Sequence, residues 1–250
     1  MSIDALCFLG VSRFGYQLAP DVAIRALDAA GISAALVAPM HPHDGDMAKA
    51  NAELARVVAG SGGRFAGAAR VDPWDAEGAL EQLTHAVEGD GARAVLLHPD
   101  EEHFPINDAR LRPLAERIGE LGVPVIVATG FHCVSEAVQV RRFAQWCPGV
   151  AVIMTNGGQL NISGLGQADA ELAMELPNVH ILTSGVYRDD FLERAVTTFG
   201  AERVLFASAA PQFDFGYELR RVHQVKMRDD ERRLLLSGNA ERLFGLGGAA

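Results

Sequence analysis

Eight short runs of apolar and β-branched residues, each followed by an amphipathic stretch of helical period, leave this chain few folds to adopt. The runs are IDALCFLG at 3, SAALVAPM at 33, RFAGAARVDP at 64, RAVLLHPD at 93, PVIVATG at 124, AVIMTNGG at 151, VHILTSGV at 179 and RVLFASAAP at 203. Between them lie PDVAIRALDAAG, AKANAELARVVAG, DAEGALEQLTHAVEGDG, RLRPLAERIGELG, SEAVQVRRFAQW, QADAELAMEL, DDFLERAVTTFG and YELRRVHQVK, with apolar residues three and four apart. Gly or Pro stands near many of the switches. No run leads into a G-x-G-x-x-G turn, so an open dinucleotide-binding sheet is disfavoured. The order predicts an α/β fold, a (β/α)8 TIM-type barrel forming one domain over residues 1–250. The last unit is followed by an extra C-terminal helix, DDERRLLLSGNAERLFG.

Composition agrees and narrows the partners. With 49% hydrophobic and only 7% aromatic residues, the chain suits buried parallel strands under helices better than an aromatic-rich sandwich. A formal net charge of −10 argues against nucleic acid, whose binding needs clustered Lys and Arg to displace counterions. No window approaches the ~18 to 20 apolar residues of a membrane span, and MSIDALCFLG lacks the basic start of a signal peptide. A cytoplasmic location is therefore expected. Cys7, Cys133 and Cys147 form an odd set without C-x-x-C spacing and read as reduced thiols.

Several runs together resemble one family across nearly the whole chain: IDALCFLG at 3, ARVDPW at 69, LLHPDEEHFP at 96, MTNGGQLNISG at 154, TSGVYRDDF at 183, LFASAAP at 205 and SGNAERLFGL at 237. They are similar to the amidohydrolase-2 family of metal-dependent hydrolases and decarboxylases. The resemblance implies an H-x-H pair on the first strand, single His ligands ending the fifth and sixth, and an Asp ending the eighth. Those positions fall here on Leu6, Phe8, Ala128, Asn156 and Ala209. The place of a carboxylated Lys in some members falls on Leu96. A divalent ion needs at least three N, O or S donors at about 2 Å, so no metal or other cofactor is expected.

Strand parity suggests what still reaches the mouth. Leu6 and Phe8 should face inward and Cys7 outward, beneath the helices. Leu96, His98 and Asp100 should share one face, as should Ala68, Arg70 and Asp72. His98, at a strand's C-terminal end, is the expected acid/base, or else a His bonded only to its neighbours. Arg70 offers a donor fork for a substrate carboxylate, unless Asp72 or another acid satisfies it internally. Asn156 is the expected hydrogen-bond donor to a developing oxyanion. Asp100, His132, Tyr187, Arg188, Gln212 and Asp214 also follow strand ends and are possible pocket residues. Glu101 and Glu102 read as solvated charge, and His41 and His43, an H-x-H beside Asp44 and Asp46, as solvated loop residues. The expected function is a metal-independent hydrolase or lyase acting on a small carboxylate-bearing molecule. The alternative is a noncatalytic barrel that binds a ligand or partners an active metal-bearing relative. A homo-oligomer, or a complex with such a relative, is the expected assembly.

Overall fold

A computed structural model describes residues 1–74, 76–159 and 164–247. Residue 75, where the third expected helix begins, and residues 160–163 of the MTNGGQLNISG run lie outside the described residues, as do 248–250. The elements follow in order: β1 (Ser2–Val11), β2 (Gln17–Leu18), α1 (Pro20–Ala30), β3 (Ile32–Pro39), α2 (Met47–Gly60), β4 (Phe65–Arg70), α3 (Ala76–Thr84) and β5 (Ala94–Leu97). Then come α4 (Arg112–Leu121), β6 (Val125–Val127), α5 (Ala137–Ala144), β7 (Val152–Met154), α6 (Gly164–Met174), β8 (Val179–Leu182), α7 (Asp189–Phe199) and β9 (Val204–Leu205). The chain closes with α8 (Phe215–Gln224), α9 (Asp229–Arg233) and α10 (Asn239–Phe244). A π-helical turn, Leu234–Gly238, joins the last two helices, so the single C-terminal helix expected from sequence carries one wide turn in its middle.

The eight expected strands are β1 and β3 to β9. They pair in parallel in chain order and curl around a common interior. The sequence reading missed only β2, two residues that fold back antiparallel on the end of β1. Helix α1 shows why the punctuation was readable: Pro20 opens it with a preset φ, and Gly31 closes it at φ 73°, where a side chain would be strained.

Alternation along the strands makes two apolar layers. Leu6, Leu36, Ala68, Leu96, Ile126, Ile153, Leu182 and Leu205 meet in the interior, with Phe244 of α10 packed against them. Their neighbours Cys7, Val37, Val95, Val127, Val152 and Ile181 lie beneath the helices. Leu6 is thus inside and Cys7 outside, as parity predicts. Among the described residues no helix is long and apolar enough to cross a membrane.

The free edge of β1 meets the segment that follows β9. Ala5 N donates to Phe206 O at 2.9 Å, Ala209 N to Leu6 O at 2.9 Å and Phe8 N to Ala210 O at 2.8 Å. From Asp4 to Cys7, β1 advances three positions against two of β3, and the Asp4 carboxylate at this bulge lies on the seam. There it accepts from Leu6 N (3.1 Å), Ser208 N (2.9 Å) and Ser208 Oγ. Burial outweighs those donors and pushes the Asp4 carboxyl up to about 7.

Asp4 therefore keeps its proton in the folded protein at pH values where the unfolded chain has lost it. Its contribution to stability is complete below about pH 4 and is lost as the pH rises through about 7. Asp4→Asn cannot titrate. In urea melts the wild type should lose roughly 2 to 3 kcal/mol more than Asp4→Asn between about pH 5 and pH 8. Parallel stability curves for the two proteins would contradict this role.

Candidate functional site

At the C-terminal ends of the strands lies a cleft of ≈ 290 Å³, lined by Phe8, Ser12, Tyr16, Met40, His41, Arg70, His98, Glu101, Pro211 and Gln212. Arg70 ends β4 and is only 1% exposed. Asn51 of α2 brackets its backbone, accepting from Arg70 N at 2.9 Å and donating to Arg70 O at 2.8 Å. A buried guanidinium stays charged and needs anions around it. They come from the turn after β5. Glu101 N and Glu102 N both donate to His98 O at 3.1 Å, which folds the two glutamates back over the arginine. Arg70 Nε then donates to Glu102 Oε1 at 2.7 Å, and Nη2 donates to Glu101 Oε2. Burial pushes the Glu102 carboxyl up to about 7 against the pull of Arg70. Trp74 Nε1 fixes the same turn from outside through Glu102 O, at 2.8 Å.

Of the two readings open for Arg70, the structure has acids of the chain on its fork rather than a fork left free for a substrate carboxylate. Glu101 and Glu102 are its counter-ions, Glu102 buried and Glu101 half-buried, which corrects their reading as solvated charge. Asp100, expected to face inward, is exposed: β5 ends at Leu97, and strand parity does not carry through a turn.

Two imidazoles share the cleft. His98 Nδ1 accepts from Glu101 N at 3.3 Å, so in the neutral ring the proton sits on Nε2. His41 follows β3, and its Nδ1 lies 3.0 Å from Pro42 O; a carbonyl only accepts, so Nδ1 carries the proton and Nε2 is left as an acceptor. Burial first, then the charge of Arg70, holds His98 well below the usual histidine range. Burial is also the main cause that lowers His41, with Arg70 and Arg13 adding to it. The two rings are neutral and of opposite tautomer, one acceptor and one donor. His41, expected from sequence to be a solvated loop residue, is buried, and like His98 it closely follows the end of a strand.

The other expected residues disperse. His132 is 86% exposed and pairs with Glu136 at 2.9 Å. Tyr187 is exposed, with Arg221 over its ring. Arg188 pairs with Asp190, and Asp214 caps α8 by accepting from Tyr217 N at 2.7 Å. His43 is exposed, Asp44 pairs with Lys49, and Asp46 caps α2. Gln212 does line the cleft.

At the positions the resemblance assigns to metal ligands, Leu6, Ala128 and Ala209 are buried, and Phe8 is partly buried on the cleft wall. Asn156 is buried in a left-handed conformation, φ 53°. Its amide donates to Thr129 O at 3.3 Å and to Thr155 Oγ1 at 3.2 Å, so its donors face the neighbouring strand end. Among the described residues no three His, Cys, Asp or Glu side chains form a group that could hold a metal ion.

A family model described as Amidohydrolase matches residues 10–246. No curated protein sequence matches the chain. Solved structures match it over nearly their whole length. A 2,6-dihydroxybenzoate decarboxylase complexed with 2,6-dihydroxybenzoate is 18% identical, covering 98% of this chain and 100% of that one at TM-score 0.80. The 5-carboxyvanillate decarboxylase of Sphingomonas paucimobilis is 15% identical, covering 98% and 100% at TM-score 0.76. An amidohydrolase of Burkholderia multivorans with bound zinc is 16% identical, covering 98% and 99% at TM-score 0.78. At such identities the likeness is one of fold.

Removing the arginine should expose how the cleft floor is balanced. Arg70→Met strands two buried carboxylates and should cost about 3 to 5 kcal/mol. That deficit should be largest near pH 8 and shrink towards about pH 5, as the stranded groups take up protons. Glu102→Gln should change stability by less than about 1 kcal/mol near pH 6, because burial already weighs against the Glu102 charge and Glu101 remains on the guanidinium. Equal losses for both variants in urea melts would refute this division of roles.

Proposed function

The chain belongs to the amidohydrolase family, and on that premise we propose that it is a hydrolase or lyase acting on a small organic molecule, with His41 taking and returning a proton, His98 donating a hydrogen bond, and no resident metal ion. One observation carries the reading: two neutral imidazoles of opposite tautomer line one cleft at the strand ends, where barrel enzymes hold their chemistry. In this proposal His41 Nε2 takes the proton of the attacking water or of the substrate. His98 Nε2–H donates to the oxygen on which charge develops, and Phe8 and Tyr16 wall the substrate. The leaving group takes the proton back from His41. The strand circuit is proposed to be closed by the hydrogen bonds between β1 and the segment after β9, which would hold both imidazoles on one rigid rim.

Donor chemistry is the support for the absence of a metal from this mechanism. Leu6, Phe8, Ala128 and Ala209 have no lone pair to give, and the Asn156 amide oxygen alone does not supply the three or more donors a divalent ion needs, so these residues do not fit one. The same substitutions favour one other reading, a noncatalytic barrel that supports a metal-bearing relative.

Elemental mass spectrometry of protein purified without chelator should find less than about a tenth of an equivalent of zinc, iron or manganese. Near one equivalent would mean that a site has formed from other residues. Hydroxybenzoates, their methyl esters and phenolic lactones form the first substrate screen, suggested by the decarboxylase neighbours. Turnover should survive EDTA, and His41→Gln and His98→Gln should each lower kcat by on the order of 10² to 10⁴ with Tm unchanged. Unaltered kcat in either variant sinks that residue's role. An inert isolated chain that co-purifies with a metal-bearing amidohydrolase would favour the partner reading instead.

A further inference from the structure

We propose that the cleft selects uncharged substrates, so that an ester, lactone or phenol binds in preference to the corresponding carboxylate. The inference rests on the cleft at His41 and His98 being the substrate site, and it specifies what that site accepts.

Charge bookkeeping inside the cleft leads there. Among the lining residues, the fixed charges are those of Arg70 and Glu101. The two are bonded to one another, and Glu102 lies on the same guanidinium, 2.5 Å from Nη2. Arg70 is 1% exposed and holds a carboxylate on each side of its fork, so a substrate carboxylate would have to displace one of them. The displaced glutamate belongs to a turn pinned by His98 O and Trp74 Nε1 and has little room to leave. An anion entering without displacement would meet the Glu101 carboxylate in a low-dielectric recess, where like charges repel strongly. The remaining polar groups are dipoles. Ser12 and Tyr16 are hydroxyls, Gln212 is an amide, and the two imidazoles supply one donor and one acceptor.

That set complements a neutral molecule carrying a carbonyl or hydroxyl. Phe8, Met40 and Pro211 add apolar wall, which suits a ring or other apolar face on the same molecule. Arg13 is a cation beside the rim, its backbone N donating to His41 O at 3.0 Å. It is exposed, with its guanidinium 5.1 Å from the Phe14 ring centre, and water and salt screen it from the interior.

The test compares 2,6-dihydroxybenzoate with its methyl ester, an anion and a neutral molecule on one scaffold. Binding is read near pH 7.5 by the ring resonances of His41 and His98 in the wild type, Glu101→Gln and Arg13→Gln proteins. In the wild type the ester should bind at least about tenfold tighter than the acid. Glu101→Gln keeps a hydrogen-bonding side chain on Arg70 but removes a charge, and it should strengthen acid binding by about tenfold, with a cooperative thermal transition showing that the variant is folded. Arg13→Gln should change either affinity less than about threefold. Tighter binding of the acid by the wild type overturns the selectivity while leaving the cleft as the site. An unchanged preference in Glu101→Gln overturns its stated cause. If neither compound perturbs either imidazole, the cleft is not the binding site, and the proposal falls with it.

Discussion

Burial of one arginine organises the functional end of this molecule. A guanidinium cannot shed its proton to escape a low-dielectric environment, so Arg70 has to be met by anions wherever β4 delivers it. The chain supplies two from a single turn after β5, and that turn also presents His98 and fixes its tautomer through Glu101 N. The positive charge below the cleft then works against protonation of both imidazoles. One ion cluster therefore sets the shape of the cleft floor and works on the protonation of its histidines.

The barrel side of the structure solves a different problem with related means. β1 needs partners on both edges, and the bulge at Asp4 to Cys7 interrupts its regular pairing with β3. A single carboxyl group restores the balance by accepting from Leu6 N and from Ser208, across a gap of 204 residues in sequence. Because it is buried there, the carboxyl holds its proton until near neutrality. Above this seam the interior layer continues upward through Leu6 and Ala128. Hydrocarbon thus occupies places to which the family resemblance assigns metal ligands, and apolar filling of a buried interior is stabilising in itself.

The residues expected at the site were legible in proportion to how regular the backbone is where they sit. Arg70 and His98 could be read because each ends or directly follows a strand, where the two-residue alternation still holds. Asp100 was misplaced because it lies past Pro99, on a turn. Glu101 and Glu102 looked like solvated charge because nothing local reveals that an arginine 31 and 32 residues earlier lies beneath them. His132, Arg188 and Asp214 follow strand ends as expected, yet each is held by a neighbour in sequence or by a helix cap, and Tyr187 is exposed with Arg221 over its ring, so none lines the cleft.

Local chemistry therefore determined the elements and the family likeness. Periodicity is written residue by residue, Pro and Gly mark the helix ends, and runs such as LLHPDEEHFP keep their identity without any contact. Tertiary structure alone decided which charges meet. Whether Arg70 greets a substrate or its own glutamates, whether His41 is solvated or buried beside His98, and whether Asp4 is ionised all depend on distances between segments far apart in sequence. Electrostatic energy depends on those distances and on the exclusion of water, and neither exists until the chain has closed on itself.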